Sequence, residues 1–360
     1  MTAQKSSESL SIGTAHRQFT VGGRPFVVRG IHYGPWRPGT GPNKHYPFPK
    51  LEHVANDFEM IRGTHANTVL IYDAPPEVLD LAEQHSLKVV YVFALDWWSI
   101  GGPNQSQMTS QIVERVKALR AKPALFAWIL GNEVGGQILQ ERGTEPIISG
   151  LKELYAAVKA ADSQHPISHA NWPPARHLDL AFLDFVSFNV YPLWPPEVVA
   201  AGFGRYIETT LRPIAGERPL LISEFGVNTT EASEDGQSRL LRSSWIDLLG
   251  AGAAGGIVFE FADEWWKNYN NPVRPGDWWT RVPAQDDEVR HDIDPEENYG
   301  LVRADRTAKP AFAVVAEFFG EPQNYRPART AGLITLLMLV IAAVIVWAWA
   351  HRNQQRRSAS

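Results

Sequence analysis

Phe126-Ala-Trp-Ile-Leu-Gly-Asn-Glu133 is the stretch from which the fold can be read. Its first five residues are apolar without alternation, the pattern of a strand buried on both faces. Gly131 interrupts the run, and Asn132 and Glu133 follow at its C-terminal tip. A second run, Pro219-Leu-Leu-Ile-Ser-Glu224, also ends in a carboxylate. Working outward, strand-like runs occur at 26–31, 67–72, 88–94, 125–130, 166–170, 185–189, 219–223 and 256–261. Helical patterns at 76–85, 108–121, 150–161 and 237–249 lie between several of them. Strands alternating with helices make parallel βαβ units, and eight such units close into a barrel. A doubly wound sheet is the structural alternative, but it rarely uses eight repeats. The predicted fold class is α/β, a (β/α)8 TIM barrel.

In that fold the loops after strands form the functional face. Glu133 follows strand four and Glu224 ends strand seven, so both belong to that face. Glycoside cleavage needs such a pair: one carboxyl protonates the leaving oxygen, and the other attacks or stabilises the oxocarbenium-like centre. A separation of about 5–5.5 Å gives retention and a wider one inversion, and topology alone leaves both open. The competing reading is two strand-end caps that bind loop amides.

Composition excludes several function classes. The 360 residues carry a formal net charge of −5 with no dense basic patch, so no nucleic-acid partner is expected. There is no cysteine, which removes disulfides, thiolate metal sites and cysteine nucleophiles. The 11 His show no paired ligand spacing, and the acidic stretch 286–297 lacks the glycine of a calcium loop. No metal and no cofactor are expected. The 13 Trp are the outlier, and many follow strands: Trp36, Trp97, Trp98, Trp172, Trp194, Trp265, Trp266, Trp278 and Trp279. Aromatic planes there suit the apolar C–H faces of sugar rings.

Residues 1–18 read as a disordered lead-in, with a short hairpin around Gly22-Gly23 leading to the barrel. The catalytic domain spans 19–320, closed by a helix at 306–318. A linker (321–330), a transmembrane helix (331–350) and a basic tail (351–360) follow. Segment 331–350 is apolar except for Thr335, and about 20 such residues span a bilayer. The N-terminus has no apolar signal region, and arginines flank both ends of the span. The expectation is a single-pass membrane protein; the missing signal region favours a tail anchor with the barrel in the cytoplasm, an external glycan substrate favours the extracytoplasmic side, and the latter is preferred.

Two motifs carry a family resemblance. Leu130-Gly-Asn-Glu and Ile222-Ser-Glu-Phe-Gly resemble the catalytic signatures of glycoside hydrolase clan A. The resemblance implies Glu133 as acid/base, Glu224 as nucleophile, and retention. Ser187-Phe-Asn-Val-Tyr191 resembles family 2, the β-galactosidase and β-glucuronidase group. Gly255-Gly-Ile-Val-Phe-Glu-Phe and Glu297-Asn-Tyr-Gly-Leu-Val resemble family 72, the membrane-anchored β-1,3-glucanosyltransferases. By analogy Asn132 contacts the sugar 2-hydroxyl and Tyr191 the nucleophile. The other candidate substrate-binding residues are His32, Tyr33, Tyr72, Asp96, Trp97, Trp172, Trp194, Glu260 and Trp265. The expected function is retaining hydrolysis or transglycosylation of β-linked glucan, β-1,3-glucan foremost. The alternatives are an exo-acting β-glycosidase of the β-galactosidase/β-glucuronidase type and a non-catalytic, membrane-anchored glycan-binding protein.

Overall fold

The computed structural model describes residues 11–37, 48–264, 267 and 295–322. It begins with a small antiparallel sheet of β1 (Ile12–Ala15), β2 (Gln18–Val21) and β3 (Arg24–Phe26). The expected lead-in to residue 18 is therefore corrected: Ile12–Ala15 pairs along β2, with Ile12 opposite Val21. Eight parallel strands follow and close on themselves in chain order. They are β4 (Val28–His32), β5 (Thr68–Tyr72), β6 (Lys88–Phe93), β7 (Leu125–Asn132), β8 (Ile167–Asn171), β9 (Val186–Asn189), β10 (Leu220–Phe225) and β11 (Gly255–Val258). The last pairs with β4, which closes the ring.

Each strand is buried on both faces, which is why the runs read as continuous rather than alternating. Residues such as Val90, Phe126, Ile129 and Leu221 fill the barrel interior. Their neighbours, including Val89, Trp128 and Ile222, face the helical layer. The small sheet plugs the N-terminal mouth. Phe19 is fully buried, its ring 5.2 Å from Phe126 and 5.1 Å from Phe185, residues at or just before the starts of their strands.

The outer layer contains α1 (Leu51–Gly63), α2 (Pro76–Gln84), α3 (Gln105–Leu119), α4 (Gly136–Arg142), α5 (Thr144–Ala161), α6 (Pro196–Ala201), α7 (Phe203–Tyr206), α8 (Arg212–Ala215), α9 (Glu234–Gly250) and α10 (Pro310–Gly320). The repeat is incomplete between β8 and β9, where a 3-10 turn at Pro173–Ala175 stands in for a helix. Two further expectations change. The eighth strand stops at Val258, and Phe259–Phe261 leave the ladder. The closing helix starts at Pro310 rather than 306, because Ala308 bridges Val302 and Arg306 takes φ 72°. Among the described residues no helix is long and apolar enough to cross a membrane. The expected span 331–350, its basic tail, most of the linker, and Trp265, Trp266, Trp278 and Trp279 lie outside the described residues.

Candidate active site

Two strand irregularities aim the glutamates. Along β7 and β8, Ile129 pairs with Ser168 but Asn132 with Ala170, so β7 carries one extra residue. Along β10 and β9, Ile222 pairs with Phe188 and Glu224 with Asn189, so Ser223 is extra. Strand side chains alternate faces, and an inserted residue resets that alternation. Ser223 and Glu224 consequently both reach groups at the pocket end of β9. Gly131, at φ 76°, absorbs the bend on β7; a Cβ there would lie 2.8 Å from both the Trp97 ring and the Leu95 side chain. Glu133 itself takes φ 41°, an uncommon conformation for a non-glycine residue, and its N–H donates to the Ala170 carbonyl at 2.9 Å.

Asn189, the last residue of β9, joins three strands. Its amide donates to Glu133 Oε1 at 2.8 Å and to Asn132 Oδ1 at 2.9 Å. Its Oδ1 accepts from the Ser223 hydroxyl at 2.7 Å. Asn132 thus uses its carbonyl oxygen internally. Glu224 is only 5% exposed and accepts from the Tyr191 hydroxyl at 2.6 Å. Burial pushes Glu133 up to about 7, against the Asn189 bond. Burial, and next the charge of Glu133, hold Glu224 well above the usual carboxylate range, against Tyr191 and Lys267.

A second polar cluster lies beside the pair. Glu260, fully buried just past β11, takes the Lys267 ammonium on both oxygens at 3.1 Å. Glu264 meets the same ammonium at 2.8 Å, and Lys267 sits 4.3 Å above the Phe259 ring. Burial pushes both glutamates up to about 7. His32 lies 3.4 Å from Glu260, and burial, then Lys267, bring its imidazole down to about 3, leaving it neutral. Glu296, in the turn Pro295–Glu297, is close enough for its charge to raise Glu133, Glu224, Glu260, Tyr191 and Tyr299. Among the described residues no three His, Asp or Glu side chains converge as metal ligands.

Several expected binding residues have other work. Tyr33 donates to Asp57 on α1 at 3.1 Å, in a buried cluster completed by Arg37 and Arg306, so its hydroxyl is engaged away from the Glu133–Glu224 pair. The Asp96 carboxylate binds its own turn, accepting from the Trp98 N–H at 3.0 Å and the Ser99 hydroxyl at 2.6 Å. Glu260 is held by Lys267 rather than left open to sugar hydroxyls. Trp97 donates to the Asn132 carbonyl at 3.1 Å and packs edge-on against His169, which makes it a support for the end of β7. Tyr72 packs its edge on His32. Trp172 donates to the Val134 carbonyl at 3.0 Å and stacks on Trp194, which is 47% exposed. Trp265 lies outside the described residues. Sequence reading missed Asn189, Lys267, Glu264 and Glu296 as site residues; only Asn189 had a signal, its place in the 187–191 motif.

The chain resembles a β-galacturonidase from Eisenbergiella tayi bound to galacturonate, with a TM-score of 0.68, 20% identity, and coverage of 88% of this chain and 55% of that one. It also resembles the β-glucuronidase of Ruminococcus gnavus, with a TM-score of 0.65, 17% identity, and coverage of 86% and 53%. At these identities the likeness shows the fold. The chain spans about half the length of these structures. No curated protein matches it. The family 72 likeness rests on the quoted motifs alone. The sequence profile of glycosyl hydrolases family 2, TIM barrel domain, matches residues 12–323, and with that extent of match the chain belongs to glycosyl hydrolase family 2.

Proposed function

We propose that the chain is a retaining, exo-acting β-glycosidase in which Glu224 is the nucleophile and Glu133 the acid/base. The observation that carries the reading is the single network in which Tyr191 holds Glu224 while Asn189 holds Glu133. The roles require a proton on Glu133 and charge on Glu224. After burial, what most opposes charge on Glu224 is the charge of Glu133. Protonating Glu133 removes that charge, so that Tyr191 and Lys267, which favour the Glu224 anion, then work against burial and the weaker effect of Glu296. Such a pair titrates as a unit, and one shared proton puts it in the working state. Glu224 then attacks the anomeric carbon as Glu133 protonates the departing oxygen. Glu133 next takes a proton from water, which hydrolyses the glycosyl–enzyme bond. Asn132, its carbonyl oxygen bound by Asn189, has its amide hydrogens to offer the sugar 2-hydroxyl.

Likeness to proteins named β-galacturonidase and β-glucuronidase supports β-glycosidase action over β-1,3-glucan transfer. Transfer to a sugar acceptor is a second reading. The exposed Trp194, stacked on Trp172 beside the acid/base strand end, favours it as a platform on the leaving-group side. Anchoring through 331–350 also belongs to the proposal and rests on the apolar length of that segment.

The test is to expose the full chain to aryl β-glycosides and to 2-deoxy-2-fluoro-glycosyl fluorides. The expected result is turnover with retention, and a stable adduct on Glu224. Turnover with inversion, or an adduct elsewhere, overturns the assignment. Product lengths with added sugar acceptor separate transfer from hydrolysis.

A further inference from the structure

We propose that this site selects an uncharged pyranoside and rejects uronic acids, because the pocket's ammonium is already consumed by the protein's own carboxylates. The inference rests on the glycosidase reading above and names its substrate class. It also separates this chain from the two neighbours, whose names specify uronides.

Recognising a uronate requires a cation or several N–H donors for its carboxylate. An ammonium has three N–H bonds. Those of Lys267 face Glu260 Oε1 and Oε2 at 3.1 Å each and Glu264 Oε2 at 2.8 Å. The ammonium is buried, with the Phe259 ring covering it at 4.3 Å. His32 carries no charge to add. Among the described residues, other cations near the functional face are tied elsewhere: Arg142 to the Trp97 and Trp98 carbonyls, Arg306 to Asp57, and Lys309 to Asp263.

The same wall carries an excess of acid. Glu260 and Glu264 hold Lys267, Glu224 feels its charge, and Glu296 is close enough to raise Glu133, Glu224 and Glu260. The turn bearing Glu296 leads directly into Tyr299, whose ring packs on Tyr191 at 5.6 Å and on Phe259 at 5.2 Å. Glu296 is thereby fixed on the side of the pocket where Tyr191 meets Glu224. A further carboxylate brought there would be repelled at low effective dielectric, where one unit of like charge at contact range is worth several kcal/mol. A neutral hydroxyl or hydroxymethyl group brings no such charge to this wall.

The full chain is assayed with 4-nitrophenyl β-D-glucopyranoside, β-D-galactopyranoside, β-D-glucuronide and β-D-galacturonide. Binding of isofagomine and of its C6-carboxylate analogue is measured by calorimetry. A neutral pyranoside is expected to exceed both uronides in kcat/KM by at least about 100-fold, and neutral isofagomine to bind at least that much more tightly. Glu296→Gln is expected to narrow the neutral-to-uronide ratio by about tenfold, a shift in selectivity that a purely structural role would not produce. Equal or preferred turnover of a uronide overturns the inference while leaving the glycosidase reading intact. Absence of turnover on all four, with neither inhibitor bound, overturns both.

Discussion

At the residue scale, Glu224 accepts from Tyr191 at 2.6 Å while Glu133 accepts from Asn189 at 2.8 Å, and both carboxyls sit well above their ordinary range. The acid must hold its proton to work, so kcat/KM is expected to fall as pH rises through about 7, the value to which burial brings Glu133. Glu133→Gln should abolish that alkaline limb and lower kcat/KM on poor leaving groups by roughly 10²–10⁴-fold. A substrate with an activated phenol leaving group should lose much less. Tyr191→Phe removes a bond that favours the Glu224 anion. The acid limb of the profile should therefore move to higher pH, with kcat reduced about 10–100-fold. An acid limb unmoved in this variant contradicts the role given to Tyr191.

At the element scale, β7 works as a unit that ends in strain. Gly131 must take φ 76° with the Trp97 ring against it. Gly131→Ala is expected to push Trp97 or the strand end aside and displace Glu133. A displacement near 1 Å from the productive geometry costs on the order of 10²-fold in rate. Circular dichroism unchanged from the parent alongside that loss would show that the defect is local. Lower on the same strand, Trp128 donates from its indole to Asp162 at 2.9 Å, and His165 contacts the same carboxylate at 2.7 Å. Burial alone would raise Asp162, yet these bonds bring it down to about 2. Asp162→Ala leaves the buried Trp128 N–H without a partner. It should destabilise the fold by about 2–3 kcal/mol in urea unfolding, with kcat/KM of the remaining folded enzyme little changed.

Over the whole molecule, the pocket sets stability against function. Glu133, Glu260 and Glu264 are each pushed from 4.5 up to about 7 in the folded state. Between those values the folded chain binds more protons than the unfolded one, so stability falls as pH rises through that window. The thermal midpoint is expected to be higher at pH 5 than at pH 8, and Glu133→Gln should flatten the slope. A midpoint that climbs steadily to pH 8 would contradict the buried-carboxyl picture. Asp162 acts in the opposite sense, adding stability above its ordinary 3.8 that is lost as pH falls through about 2. That window lies below the one tested.

The eight strands, their order and the shared face of Glu133 and Glu224 were legible in the sequence. Strands buried on both faces leave continuous apolar runs, and parallel connections force a strict alternation with helices. The Asn-Glu and Ser-Glu strand ends were visible for the same reason: polar residues stop an apolar run abruptly. Other features arose only in three dimensions. Ser223 and Glu224 both reach the pocket end of β9 because a register shift resets the alternation, which no local pattern announces. Tyr33 and Asp96 stand at strand ends as pocket residues would, yet Asp57 and the 96–99 turn claim their polar atoms. Lys267 and Glu296 stand in a stretch of sequence rich in Trp, Asp and Pro that marks neither of them out, and their importance comes from what lies within a few ångströms. The sequence by itself determined the barrel and the shared face of Glu133 and Glu224, because burial and chain connectivity are written along the chain. The charge balance of the pocket was decided by the tertiary structure alone, because ionic pairing depends on distances between residues that are remote in sequence.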